Sequence, residues 1–229
     1  MTLRVAVLFS GGKDSAYAIW VGEHQGWEVS LVTVRPRSDD SRMFHYPNVE
    51  WTHLQAEAMG LSHEIVPTTG MDEMADLQHT LAKMKSRGEI SGLAAGAVAS
   101  DYQKTRFDNM CDAIGLKSYA PLWHRRPRLL VEDLRRSGFR IIITAVAAMG
   151  LDESWLGREL TEQEWSNLDQ LSKIHGIHLT GEGGEYESFV LDAPHFSKTI
   201  EIEKSRNEWR GDRGRMVIEK ASLRDKLGN

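Results

Sequence analysis

Two short stretches concentrate the residues that could do chemistry. Near the start, Ser10-Gly11-Gly12-Lys13-Asp14-Ser15 follows an apolar run and opens a helical pattern. Glycines let backbone amides approach an anion closely, Lys13 adds a point charge, and the Ser10 and Ser15 hydroxyls can donate hydrogen bonds. The common phosphate loop is spaced Gly-x-x-x-x-Gly-Lys-Ser/Thr, whereas this one packs its groups into six residues. A bare carboxylate would repel phosphates, so Asp14 either tightens the loop or helps to hold Mg2+. Far downstream, Gly181–Ser188 reads GEGGEYES and sets Glu182, Glu185 and Glu187 within six residues. Like charges that close are unfavourable unless a cation compensates them. Gly183-Gly184 by itself spells a two-residue hairpin turn.

These stretches need elements to position them. Arg4–Phe9, Glu28–Val34, Ser62–Val66, Leu93–Val98 and Arg140–Val146 are short apolar runs rich in β-branched residues, expected as strands buried on both faces. Met74, Leu77, Leu81 and Met84 mark one face of a helix, as do Phe107, Cys111 and Ile114 on another. Asp101 is placed to cap the second of these, Pro127 to begin a later helix, and Thr161-x-x-Glu164 has the form of a capping box. Gly26, Gly60, Gly88, Gly115, Gly138 and Gly176 close the helical segments. Strand and helix alternate to residue 146, which predicts an α/β, Rossmann-like parallel sheet with helices on both faces over residues 1–146. Residues 147–229, with strands at Tyr186–Leu191, Lys198–Lys204 and Arg215–Lys220, predict a smaller α+β region.

Composition bounds the partners. Lys plus Arg total 28 against 33 Asp plus Glu, a net charge of −5, so no direct nucleic-acid binding is expected. No apolar run approaches the ~20 residues of a membrane span. The single cysteine, Cys111, lies on an apolar stripe and is expected as an inert core thiol, and a cytoplasmic location follows by default. None of the nine histidines forms an HExxH-like pair, so no zinc site is expected. A homo-oligomer is compatible with the sequence.

SGGKDS is the signature of the PP-loop ATP pyrophosphatases. With "SRMFHYPN" (Ser41–Asn48), "GAVASDYQKTR" (Gly96–Arg106), "PLW" (Pro121–Trp123) and "GEGGEYESFVLDAP" (Gly181–Pro194), the chain resembles the diphthine–ammonia ligase family from Leu3 to about Phe196. Family members commonly show Thr where this chain has Ser188. The resemblance implies a HUP-type fold and ATP-dependent amidation, with ammonium, of diphthine on elongation factor 2. It implies an acyl-adenylate, with AMP and pyrophosphate released and Mg2+ as cofactor. Another PP-loop adenylating enzyme, acting on tRNA or a small molecule, and a non-catalytic nucleotide sensor remain alternatives.

The expected sites follow from motif and resemblance together. Ser10, Gly11, Gly12, Lys13, Asp14 and Ser15 would hold the phosphates, with Phe9, Thr33, Gly96 and Ser100 around the nucleotide. Asp14 and Asp101 are the Mg2+ candidates. In a doubly wound sheet of order 3-2-1-4-5, the crevice outside the first and fourth strands would bring Ser100, Asp101 and Tyr102 to the ligand, with Gln103 and Arg106 one turn on. Arg106 could neutralise an α-phosphate. Diphthine carries a quaternary ammonium group, which suits the rings of Trp123 and Tyr186 and the carboxylates of Glu182, Glu185 and Glu187 beside Gly183 and Gly184. Glu182 or Glu185 would otherwise hold ammonium or take its proton. Lys13, Asp14, Asp101, Glu182 and Glu185 are the catalytic candidates. Arg37–Asn48 suits a lid containing His45, or an ordinary surface loop. His124–Arg128 with Arg135-Arg136 is either a solvated helix start or a docking surface.

Overall fold

The computed structural model describes residues 2–36, 48–68 and 72–226, so the lid expectation for 37–47, His45 included, lies outside the described residues. The chain falls into two compact units that change over between His124 and Arg125, with Gly11–Lys13 and Glu57–Gly60 counted to the second.

The first unit is built on five parallel strands: β1 (Arg4–Leu8), β2 (Glu28–Val34), β3 (His63–Val66), β4 (Gly92–Ala95) and β5 (Lys117–Tyr119). Their order is β3-β2-β1-β4-β5, so the order reverses beside β1, where the crevice was expected. Val5, Ala6 and Val7 are fully buried, as a central parallel strand covered on both faces requires. Between the strands run α1 (Lys13–His24), α2 (Thr52–Met59), α3 (Glu73–Ser86) and α4 (Asp101–Ile114). Leu77, Leu81 and Met84 of α3 and Phe107 and Cys111 of α4 pack with Val32, Val66 and Leu93 in one apolar cluster, with Met74 and Ile114 at its margin. The 3.6-residue stripes therefore face the sheet as their spacing predicts. β5 has no apolar pattern and was not foreseen; a three-residue polar strand is an edge, short enough to invite no further pairing.

The second unit contains α5 (Pro127–Arg136), β6 (Arg140–Val146), α6 (Glu162–His175), β7 (Tyr186–Asp192), β8 (Lys198–Arg210) and β9 (Arg213–Asp225). Its antiparallel sheet has the order β7-β6-β9-β8. This places β6 differently from expectation: it belongs to the second sheet, pairing with β7 and β9, and does not extend the parallel one. A run such as RIIITAV is buried on both faces in either setting, and its periodicity carries no strand direction. β8 and β9 are 13 residues each, joined through Gly211 at φ 63. Trp209 lies across Gly214, where a Cβ would stand 2.2 Å from the indole.

The caps differ in detail. Ser100, not Asp101, caps α4: its backbone is extended and its hydroxyl accepts from the Gln103 N–H, leaving Asp101 in the first turn. Pro127 opens α5 as expected. Thr161 is the N-cap residue of α6, but its hydroxyl donates to the Glu164 carboxylate and caps no amide. All six helix-closing glycines take positive φ, the left-handed conformation expected of a C-terminal stop.

The Thr33 hydroxyl donates to the Phe9 carbonyl at 2.7 Å, so the 2.8 Å contact from His63 must be donated by Nε2–H. Burial, and then the charge of His53, hold the His63 imidazole below its usual value of 6.5. A depressed value favours the neutral ring in the fold, so this stability is complete above about pH 6.5 and is lost as pH falls through the lowered value. The urea midpoint should drop more between about pH 7.5 and 5.5 in the wild type than in His63→Gln, whose amide can donate to Thr33. Cys111 is fully buried, and burial followed by the Asp108 charge pushes its thiol up to about 11. Iodoacetamide should therefore label it no faster than the protein unfolds, read by mass spectrometry.

Candidate functional site

The SGGKDS loop leaves β1 and becomes α1 at Lys13. Gly11, at φ 80, supplies the left-handed step that turns the strand into the helix. Ser10 and Ser15 close on one another, with their hydroxyls 3.2 Å apart and the Ser10 N–H directed to the Ser15 hydroxyl at 3.3 Å. Gly96 lies behind this turn: a Cβ there would stand 2.7 Å from the Asp14 carbonyl carbon and 2.8 Å from the Ser15 nitrogen. Only glycine allows the segment after β4 to come so close. Gly96 thus backs the loop. Phe9 and Thr33 are interior, and the Thr33 hydroxyl is engaged by the Phe9 carbonyl and His63.

Lys13 is only 3% exposed. Its ammonium donates to the Thr180 carbonyl at 2.5 Å and lies 5.3 Å from the centroid of the Tyr186 ring. Its backbone N–H reaches the Ser188 hydroxyl at 3.2 Å, and the Gly11 carbonyl accepts from the Val190 N–H at 3.0 Å. The phosphate-loop motif and GEGGEYES are therefore neighbours, although 165 residues and more separate them in sequence.

GEGGEYES itself is a turn running into β7, not the tip of a hairpin, because the chain before it forms no strand. Glu185 holds that turn: one carboxylate oxygen accepts from the His178 N–H at 2.7 Å, the other from the Gly183 N–H at 2.8 Å. At Gly183 a Cβ would stand 2.8 Å from that carboxylate. Gly184, at φ 82, completes the reversal and its N–H donates to the Gly181 carbonyl at 3.1 Å. Tyr186 is buried and its hydroxyl donates to the Leu179 carbonyl at 2.8 Å. Its ring thus faces a cation of this chain. Glu182 and Glu187 are half-buried in the same segment.

The residues at the start of α4 form a separate group. Arg106 stacks over the Tyr102 ring at 4.9 Å and donates to its hydroxyl at 2.5 Å; Tyr102 remains 54% exposed. Lys104 lies 5.5 Å over the Trp123 ring and pairs with Asp108 at 2.5 Å. Asp101 is exposed and Gln103 half-buried in this first turn. The next residue, His124, takes a left-handed φ of 55 while its N–H donates to the Val98 carbonyl at 2.8 Å. Both expected aromatic candidates for a quaternary cation, Trp123 and Tyr186, hold lysines of the chain. Among the described residues no three His, Cys, Asp or Glu gather to hold a metal ion.

The basic run at α5 is largely neutralised. Arg125 pairs with Asp133, Arg128 with Asp169 at 2.6 Å, Arg135 with Glu162 and Arg136 with Glu132. Carboxylates of the same unit thereby pair with four arginines of the run expected as either a solvated helix start or a docking surface. Sequence reasoning named Ser188 only as a departure from a motif, and it missed Thr180, His178 and His63. Thr180 acts through its backbone carbonyl, for which a side-chain pattern carries no signal.

Residues 3–118 match the family model described as diphthamide synthase N-terminal domain, and residues 126–223 match the diphthamide synthase C-terminal domain. Proteins named diphthine–ammonia ligase are similar to the chain: that of Mus musculus is 38% identical, covering 89% of this chain and 84% of that protein, and that of Homo sapiens is 36% identical over the same shares. The Saccharomyces cerevisiae protein of that name is 30% identical, covering 85% of this chain and 33% of its own greater length. A solved structure titled as a predicted subunit of tRNA methyltransferase from Methanocaldococcus jannaschii has a TM-score of 0.47 at 15% identity, covering 83% of this chain and 97% of that one. With both halves matched in order and the mammalian relatives aligned over most of their length, the chain belongs to the diphthamide synthase family.

Proposed function

We propose that this protein is an ATP-dependent diphthine–ammonia ligase acting on elongation factor 2 in the cytoplasm, with ATP and ammonium as co-substrates. The observation that carries the reading is the 2.5 Å bond from Lys13 of the phosphate loop to Thr180, at the head of GEGGEYES, in a chain 38% identical to a named diphthine–ammonia ligase.

In the first step the diphthine carboxylate attacks the α-phosphorus of ATP and pyrophosphate leaves, giving an acyl-adenylate. In the second, neutral ammonia attacks the acyl carbon, AMP departs with the C–O electron pair, and a base takes the surplus proton. A carboxylate does not react unaided with an amine because oxide is a poor leaving group; adenylation replaces it with AMP. The protein's part is positioning and charge stabilisation. Lys13, the Ser10 and Ser15 hydroxyls and the amides at the start of α1 suit the departing pyrophosphate. Gly12 and Gly11 leave room for it. Arg106, with Tyr102, Gln103 and Ser100 on the same first turns of α4, suits the α-phosphate and acceptor side. Magnesium, brought by the nucleotide, would supply charge neutralisation, and Asp14 and Asp101 are the oxygen ligands the first unit offers; two carboxylates with phosphates and water match its habit. Of Glu182 and Glu185, Glu182 is the better placed to hold ammonium or take its proton, since both Glu185 oxygens hold backbone amides; Glu187 in the same segment is a further carboxylate for that role. Nucleotide binding is assigned to residues 1–124 and acceptor recognition to 125–229, following the division into two units.

ATP–pyrophosphate exchange tests this. Exchange should appear only with elongation factor 2 carrying diphthine, and Lys13→Ala should slow it about 10²- to 10³-fold, the usual loss for one preorganised charge donor. Exchange with tRNA instead would move the protein to another adenylating class. Tight ATP binding with no exchange under any acceptor would make it a sensor.

A further inference from the structure

We infer that Tyr186, with the Thr180 carbonyl and the Ser188 hydroxyl, positions Lys13: the ring of GEGGEYES serves the phosphate loop and does not receive the acceptor's cation. The consequence for nucleotide binding rests on the phosphate-loop reading above; the positioning itself does not.

A buried ammonium must replace its water with other electron-rich groups, or it deprotonates or swings out. Lys13 has the Thr180 carbonyl at 2.5 Å and the Tyr186 ring at 5.3 Å. A desolvated ring face is among the stronger partners available to such a cation. The ring cannot turn away, because its hydroxyl is bonded to the Leu179 carbonyl at 2.8 Å. Gly181 packs on it so closely that a Cβ would stand 2.8 Å from the Tyr186 carbonyl oxygen and 3.1 Å from a ring carbon.

The carbonyl is held as firmly. Glu185 ties His178 and Gly183, and His178 Nδ1 lies 3.0 Å from the Thr180 hydroxyl. The main chain of the loop is strapped from the same strand, with the Lys13 N–H on Ser188 and the Gly11 carbonyl on the Val190 N–H. Residues 178–190 therefore set both the backbone and the ammonium of Lys13. Tyr186 is a positioning residue, and Glu185 acts one step behind it.

Trace acetylation of amines, with each lysine's share read by mass spectrometry, measures how available the Lys13 amine is. Tyr186→Leu should raise Lys13 labelling about tenfold relative to the other lysines, whereas Tyr186→Phe, which keeps the buried ring face and loses only its bond to Leu179, should raise it no more than about threefold. Wild-type labelling in Tyr186→Leu overturns the proposal, as does an equal rise in Tyr186→Phe. If Tyr186→Leu does not fold, hydrogen exchange at the Lys13 amide decides the strap. Ser188→Ala should speed it about tenfold and Ser188→Thr should restore protection, while no change in Ser188→Ala overturns it. Calorimetric titration with MgATP supplies the nucleotide arm. Tyr186→Leu should weaken binding about tenfold, with no further loss in the Lys13→Ala background. If Lys13→Ala alone leaves MgATP affinity unchanged, the phosphate-loop reading fails, and labelling still decides the positioning.

Discussion

Taking an ammonium group out of water costs several kcal/mol, and the cost is recovered only where oxygens and ring faces stand in for the lost hydration. Lys13 imposes that requirement on this protein. The ammonium needs the Thr180 carbonyl, which needs the turn held by Glu185; it needs the Tyr186 ring, which needs the Leu179 carbonyl and a residue without a Cβ at 181. The strand that supplies these groups also bonds the loop backbone through Ser188 and Val190. A stretch rich in glycine and glutamate is therefore comprehensible without assigning every one of its carboxylates to a ligand.

Elsewhere the chain spends its cations differently. Arg106 lies over Tyr102 and Lys104 over Trp123 at the start of α4, while the arginines of α5 face Asp133, Asp169, Glu162 and Glu132. These groups are exposed or half-buried, and an ion pair that solvent reaches contributes roughly 0–1 kcal/mol and is screened by salt. They tune the surface without fixing the fold. Lys13 is the opposite case: almost no solvent reaches it, so the loss of a partner is not made good by water.

Much of this was legible in the sequence. β2 and β6 run over the residues their apolar patterns indicate, the stripes of α3 and α4 face the core, and the strand order around β1 matches the doubly wound expectation. The turn from β1 into α1 was legible because SGGKDS sets glycines and small polar residues between an apolar run and a helical pattern. The failures share a physical origin. The direction of β6 and the polar edge β5 depend on partners distant in sequence. Asp101 and Ser100 are both good caps, and the extended backbone at Ser100 decided between them. The lysines beside the Tyr186 and Trp123 rings are likewise hidden by sequence separation.

From its residues alone, this chain is an α/β protein with a glycine-rich turn after its first strand and a second motif far downstream. Local chemistry is enough for that, because periodicity and turn residues act over a few positions. Only the tertiary structure put the second motif against Lys13, moved β6 to the antiparallel sheet and spent Glu185 on two backbone amides. Those outcomes depend on which backbone groups meet across long separations, and a backbone carbonyl such as that of Thr180 leaves no mark in the order of side chains.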